Sequence, residues 1–173
     1  MRTPAERRAE PADPLTVVHT RWAEEGMAGG PWPFLAMCSL SRLHQILARA
    51  LEDRLKSLEL SRTGYFVLTT LALMNGGRAL LSTLGRLMMI HPTTVKLTVD
   101  QLERAGLVTR QRHPHDRRAT VVRITELGAE RARAANAALE NADEGPLGGL
   151  AGRHEELFDA LRDLRLATGD TEF

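Results

Sequence analysis

The chain has 173 residues, of which 43% are hydrophobic and only 4% aromatic, and its formal net charge is +1. This composition predicts one ordinary, mainly helical domain and argues against disorder beyond the chain ends. No apolar run approaches a membrane span, the N-terminus has no apolar signal segment, and the single cysteine cannot form an intrachain disulfide. We therefore expect a cytoplasmic protein without a membrane partner.

The charge is distributed unevenly along the chain. Residues 86–123 contain eight Lys/Arg and three Asp/Glu, a net charge of +5, whereas residues 124–173 carry −6 and residues 1–85 carry +2. A basic segment can be no more than a solvated surface, but a protein that contacts phosphates needs positive charge in one place. The central segment is therefore the candidate for nucleic-acid binding.

The N-terminal part predicts a tail and three helices. Residues 1–14 combine proline with charged residues, as mobile tails do. A short helix is expected over 15–25, and the glycines and prolines of 26–33 should end it. Leucines at steps of three and four predict a long helix over 34–58, with an apolar face longer than one small domain covers. A further helix is expected over 61–73.

Residues 80–125 combine signals for helix, turn, helix and hairpin. Ser82 is a candidate N-cap for a short helix, and Pro92 suits the first turn of a second helix. Gly106 stands where a residue just past a helix C-terminus should. The buried stripe of the second helix is expected to consist of Val95, Val99 and Leu102.

A basic hairpin follows the second helix. Residues 107–109 and 119–125 predict antiparallel strands around the polar segment HPHDRR, and residues 78–81 are placed to pair as a third strand. Two helices of this spacing and a basic hairpin predict a winged helix-turn-helix. The exposed face of its second helix can enter a major groove, and the hairpin tip can reach the neighbouring backbone or minor groove.

The segment HPTTVKLTVDQLERAGLV, followed by HDRRATVVRITELG, resembles the MarR family of bacterial transcription regulators. The resemblance covers roughly residues 40–138, and Asp116 and Arg118 match the D-x-R motif of the family's wing. It implies a homodimeric regulator, most often a repressor, that binds a pseudo-palindromic operator in double-stranded DNA and is released by a small molecule. Two positions depart from the family pattern: Met89 replaces a common turn glycine, and Gly85 a common alanine. We expect a slightly different turn at Met89.

The recognition helix should present polar groups to DNA. Thr93 and Thr94 open it, where free N–H groups and hydroxyls can face a phosphate or a base edge. Lys96 can read guanine or bind phosphate, and Leu97 can pack on a thymine methyl group. Gln101 is a weaker candidate. All five residues can instead be ordinary solvent-facing positions of a helix.

The wing supplies the remaining candidate DNA contacts. The resemblance implies that Asp116 pairs with Arg118 and sets its direction, while Arg117 or Arg118 enters the minor groove, which suits arginine. Asp100, inside the basic segment, should pair with Arg104 or with a basic group beneath the helix. Further candidates for backbone contacts are Arg86, Arg110 and Arg112.

Other functions have weaker sequence support. Cys38 stands about where peroxide-sensing family members carry a sensor cysteine, but a structural cysteine is favoured over this redox alternative. The purine site of the urate-sensing branch is not carried over, because Val67 and Thr98 replace its aspartate and arginine. His113 and His115 are better explained as polar surface residues of the wing than as metal ligands. No metal or cofactor is expected. A ligand pocket, or plain core, would contain Trp22, Trp32, Phe34, Met37, His44 and Tyr65.

The C-terminal part predicts an alanine-rich helix over 127–141, a break over 141–149 and a final helix. Two terminal helices with unused apolar faces indicate a dimer built from the chain ends. We expect a tail (1–14), N-terminal helices (15–60), a winged domain (61–125) and C-terminal dimerisation helices (126–173). No motif indicates an enzyme, whereas an architectural DNA-binding protein without sequence preference stays an alternative. The predicted seam of the final helix is Leu147, Leu150, His154, Leu157, Leu161 and Leu164.

Overall fold

The computed structural model describes residues 13–116, 118–141, 145–150 and 152–171. It divides into two compact units, Met1–Ile46 and Leu47–Phe173, which are described separately. The predicted domain boundaries stay predictions. Most of the predicted N-terminal tail, residues 1–12, lies outside the described residues.

The first unit contains helix α1 (Thr16–Glu24) and most of helix α2 (Trp32–Leu55), which continues into the second unit. The predicted helix over 15–25 and the break after it are confirmed. The segment between α1 and α2 folds back on α1, because the Trp22 indole N–H donates to the Gly29 carbonyl at 3.0 Å. Helix α2 begins two residues earlier than predicted, since Pro33 suits the first turn of a helix.

The second unit is a helical domain with a small sheet. Its three strands are β1 (Arg78–Leu80), β2 (Val108–Arg112) and β3 (Thr120–Ile124). They are antiparallel in the order β1-β3-β2, with Val108 opposite Ile124 and Leu80 opposite Val121. The predicted mainly α fold with a β wing is confirmed, including the third strand. The further α-helices are α3 (Arg62–Leu73), α4 (Leu81–Leu87), α5 (Pro92–Arg104), α6 (Glu126–Glu140), α7 (Gly145–Gly148) and α8 (His154–Ala167).

One hydrophobic core joins the helices of the second unit to the sheet. Apolar residues spaced at the helical period bury one face each of α3, α4 and α5, and burial of this apolar surface is the main force that holds them together. The predicted stripe of α5 is confirmed, and Thr98 is buried with it. The core residues include Val67, Leu68, Leu71, Leu84, Val95, Val99, Leu102, Leu107, Val108 and Val122.

The helix ends show which local signals acted. The Ser61 hydroxyl accepts the Gly64 N–H at 3.0 Å at the start of α3, and Thr125 accepts the Gly128 N–H at 3.0 Å at the start of α6. The predicted cap by Ser82 is wrong. Helix α4 begins at Leu81, directly after the last paired residue of β1, so Ser82 already lies inside its first turn.

The C-terminal seam is shorter than predicted. Helix α8 begins only at His154, after Gly152 at a φ of 75°, a conformation that favours glycine and interrupts a helix. Leu147 and Leu150 therefore precede α8 instead of continuing its stripe. Within α8, Leu157 and Leu161 are half-buried, whereas Phe158 and Leu164 are exposed.

Within the described ranges, none of the helices combines the length and the apolar character that a membrane span requires.

Candidate nucleic-acid interface

The start of α5 is closed by a histidine. His91 is the N-cap residue, and its Nδ1 accepts the Thr93 N–H at 3.3 Å. Pro92 occupies the first turn, and the Thr94 N–H donates to the His91 carbonyl at 2.9 Å. The expectation of a free N–H at Thr93 is therefore wrong, because the ring of His91 folds back onto it. The side chains of Thr93 and Thr94 are exposed.

The two faces of α5 differ in burial as predicted. Val95, Thr98, Val99 and Leu102 face the core, and the helical period turns the intervening side chains outward. Leu97 is 58% exposed although it is apolar, so burial within the chain does not explain it. This exposed surface, called the recognition face below, consists of Thr93, Thr94, Lys96, Leu97 and Gln101.

The wing tip is held by backbone hydrogen bonds. The His113 N–H donates to the Ala119 carbonyl at 3.0 Å, and the Ala119 N–H donates to the Asp116 carbonyl at 3.0 Å. The predicted pairing of Asp116 with Arg118 involves the backbone: the Arg118 N–H donates to Asp116 Oδ1 at 2.9 Å. The exposed Arg118 side chain projects from a turn that Asp116 stabilises. Arg117 lies outside the described residues.

Arg110 does not have the free guanidinium that a phosphate contact needs. Its Nη1 lies 2.5 Å from Asp100 Oδ1, and its Nε donates to Glu103 Oε2 at 2.9 Å. The hydrogen bond from Arg110 lowers the pKa of Glu103, and the same bond raises the pKa of Arg110. Asp100 thus pairs with the basic group beneath the helix, while Arg104 donates to the Asp100 carbonyl at 3.1 Å.

These ion pairs argue against the predicted phosphate contact of Arg110. Only 28% of its side chain is exposed, and two carboxylates compete with any phosphate for it. They connect the middle and the end of α5 to strand β2, so the recognition face and the wing are fixed to each other. Arg112, two residues further along β2, has an exposed side chain.

A cleft of about 640 Å³ lies between α4, the turn after it, the start of α5 and the base of the wing. Arg86 from α4 and Arg118 from the wing both line it, although they are far apart in sequence. Met89, Ile90 and Pro92 supply apolar lining. The cleft therefore combines two cationic side chains with an apolar surface beside the recognition face.

The turn at Met89 keeps the backbone that glycine favours. Its φ is 48°, in the left-handed region. The backbone of this turn is therefore the one that a glycine would adopt, and the slightly different turn expected from the sequence is not formed.

The remaining predicted residues are divided between the two separately described units. Of the six pocket candidates, Trp22, Trp32, Phe34, Met37 and His44 belong to the first unit, where the rings of Trp22 and Phe34 lie 5.9 Å apart. Tyr65 belongs to the second unit: its hydroxyl donates to Asn136 Oδ1 at 2.8 Å, and burial raises its pKa. The pocket stays a prediction. Cys38 is half-buried and not in a disulfide, and no group of three metal-binding side chains occurs in the described ranges.

Comparison with known proteins identifies the family. The MarR family model matches residues 60–120, the segment from the start of α3 to the wing. A MarR family transcriptional regulator from Streptomyces coelicolor is 33% identical in sequence, with a TM-score of 0.72. The match covers 83% of this chain and 100% of that protein. The chain belongs to the MarR family.

Two more distant structures share this MarR fold. A second regulator from Streptomyces coelicolor, solved in complex with DNA, is 20% identical over 80% of this chain and 87% of its own, with a TM-score of 0.67. CouR from Rhodococcus jostii RHA1, solved bound to p-coumaroyl-CoA, is 24% identical over 78% and 91%, with a TM-score of 0.63. At these identities the matches show the fold alone.

Proposed function

We propose that the chain is a homodimeric transcription regulator that binds a pseudo-palindromic site in double-stranded DNA. The observation that carries this proposal is the placement of the recognition face beside a cleft lined by Arg86 and Arg118. Base edges are read by hydrogen bonds and apolar contacts in the major groove, and phosphates are held by cations at its border. Both kinds of group are present here on adjacent surfaces.

The recognition face favours sequence-specific over purely electrostatic binding. Its single cation is Lys96, accompanied by two threonines, a glutamine and the exposed Leu97. Hydroxyl, amide and apolar side chains contact bases, whereas an architectural protein relies on phosphate contacts. Arg118 and Arg112 on the wing, and Arg117 by its position in the sequence, are proposed to contact the backbone or the minor groove.

Dimerisation is proposed from exposed apolar residues on two helices. Helix α2 leaves Trp32, Phe34 and Met37 exposed, and helix α8 leaves Phe158 and Leu164 exposed. Such residues on terminal helices are typical of surfaces that a partner chain covers. A dimer with recognition helices about 34 Å apart would read two half-sites one helical turn apart. Sedimentation of the purified chain tests this part directly.

Repression relieved by a small molecule is proposed from family membership. A ligand that prefers a dimer with another spacing of its recognition helices would lower the affinity for DNA. The pocket candidates in the first unit and Tyr65 are the residues to examine for ligand contacts. A redox mechanism through Cys38 is the alternative, and mild peroxide followed by mass spectrometry of the thiol distinguishes the two.

The test of DNA binding is a titration against the DNA upstream of the chain's own gene, with unrelated DNA as competitor, at several salt concentrations. Tight binding that survives the competitor supports a sequence-specific regulator. Equal affinity for both DNAs with a steep salt dependence would instead support an architectural protein. Absence of binding to either DNA at low salt contradicts both proposals.

A substitution at the wing sharpens this test. Arg118→Ala should weaken binding and reduce the slope of log affinity against log salt by about one phosphate contact. Arg133→Ala is the matched control, because Arg133 is an exposed arginine on α6 and its loss changes the net charge equally. If both variants bind alike, Arg118 does not contact DNA.

A further inference from the structure

Helix α4 ends in a turn that normally requires glycine. The Ile90 N–H donates to the Gly85 carbonyl at 3.0 Å, and the Met89 N–H donates to the Arg86 carbonyl at 3.1 Å. These two bonds form a Schellman motif, in which the residue after the C-cap adopts the left-handed conformation. That residue is Met89, with a φ of 48°.

Folding of the chain does not explain a methionine at this position. A Cβ atom disfavours the left-handed backbone, and glycine would form the same two hydrogen bonds without that strain. The Met89 side chain is 85% exposed, so it gains little from burial. Its neighbours Met88 and Ile90, which pack against the core, anchor the turn.

The position of Met89 suggests what its side chain contacts. It lines the cleft between helix α4 and the wing, together with Arg86, Arg118 and the apolar residues Ile90 and Pro92. A DNA strand presents a repeated alternation of charged phosphate and less polar deoxyribose. Two arginines with an exposed thioether side chain among them match that alternation, since methionine adapts its shape to irregular apolar surfaces.

We propose that Met89 is a DNA-contact residue that packs against the deoxyribose of the strand whose phosphates Arg86 and Arg118 hold. This inference rests on the proposed function. Residues held in unfavourable backbone conformations concentrate at functional sites, and here the chain retains the strain in exchange for an apolar contact. Because every nucleotide carries the same sugar, the contact is independent of the base sequence.

Substitution by glycine should change stability and binding in opposite directions. Met89→Gly relieves the strained backbone and should raise the Tm by about 2 °C or more. The same variant loses the side chain and should bind both operator and unrelated DNA about fivefold more weakly. Met89→Ala keeps the strain, so it should lose affinity without the gain in Tm.

Two further variants test whether the effect depends on an apolar side chain and on its position in the cleft. Met89→Leu retains an apolar side chain and should bind nearly as the unaltered chain does. Leu73→Ala removes an apolar side chain that is 82% exposed but lies on α3, outside the cleft lining, and should leave affinity unchanged.

The outcomes separate this inference from the proposed function. If the unaltered chain binds DNA and both Met89→Gly and Met89→Ala bind equally well, Met89 is not a contact residue. A loss confined to the operator also overturns the inference, because it would indicate contact with a base. If the unaltered chain binds no DNA, the proposed function itself fails.

Discussion

The first turn of α6 leaves no room for a side chain at residue 128. Gly128→Ala should therefore disrupt the packing of α6 against the wing. A Cβ atom there would lie 2.0 Å from the Leu107 carbonyl oxygen and 2.9 Å from Ile124 Cγ1. The carbonyl belongs to the backbone and cannot rotate away as a flexible side chain can. Helix α6 would therefore have to move by about 1 Å or more to accept the methyl group.

The size of the effect follows from the bonds that such a movement loosens. The Thr125 N–H donates to the Leu107 carbonyl at 3.1 Å, and the Thr125 hydroxyl donates to the Gly106 carbonyl at 2.8 Å while accepting the Gly128 N–H at 3.0 Å. A protein hydrogen bond contributes about 1 kcal/mol and an N-cap about 1 kcal/mol. Gly128→Ala should therefore lower the free energy of unfolding by about 2–4 kcal/mol.

Urea unfolding monitored by circular dichroism measures this difference, and Gly85→Ala is a matched control. Gly85 is also a buried helical glycine, but its Cβ would meet the Ile90 carbonyl oxygen at 3.4 Å and Val95 Cγ2 at 3.7 Å, which are ordinary contacts. This variant should stabilise the chain by about 0.5–1 kcal/mol, because alanine restricts the unfolded backbone. Equal midpoints for the two variants would refute the close approach of α6 to Leu107.

The remaining predictions concern the connection between α5 and the wing. Arg110→Met should weaken operator binding but leave the salt slope unchanged, because its guanidinium pairs with carboxylates; a slope reduced by about one would identify a phosphate contact. The pKa of Glu103 in the folded chain lies below its ordinary value of 4.5, because Arg110 stabilises the carboxylate. The ionised carboxylate therefore stabilises the fold at pH values above its unfolded pKa, and this stabilisation is lost as the pH falls through the folded pKa. The stability difference from Glu103→Gln, measured by urea unfolding, should therefore shrink as the pH is lowered from 7 to below 4; a difference independent of pH contradicts the pair. Lys96→Ala should weaken operator binding about tenfold and affect unrelated DNA less, if this exposed lysine reads a base; equal losses on both DNAs would assign it to a phosphate.

The fold class and the exposed face of α5 were predictable because their signals are local. The period of Val95, Val99 and Leu102 identifies the buried face of α5, and therefore its exposed face, without any knowledge of the neighbouring elements. Pro92 and Gly106 mark the two ends of that helix for reasons of backbone geometry alone. The MarR resemblance rests on this same segment, which is why it was recognisable.

Features that join distant parts of the chain were decided only by the tertiary structure. Arg110 is one of several arginines in the sequence. Only the packing of strand β2 against helix α5 places its side chain between Asp100 and Glu103. The turn of α4 and the return of β3 likewise bring Arg86 to the same cleft as Arg118.

The sequence by itself therefore determined the helices and strands of the winged segment and the buried face of α5, because period and turn signals act within a few residues. The tertiary structure decided which charged groups are already paired and which stay available to a partner. That outcome depends on strand register and helix packing across long separations, which composition and spacing do not specify.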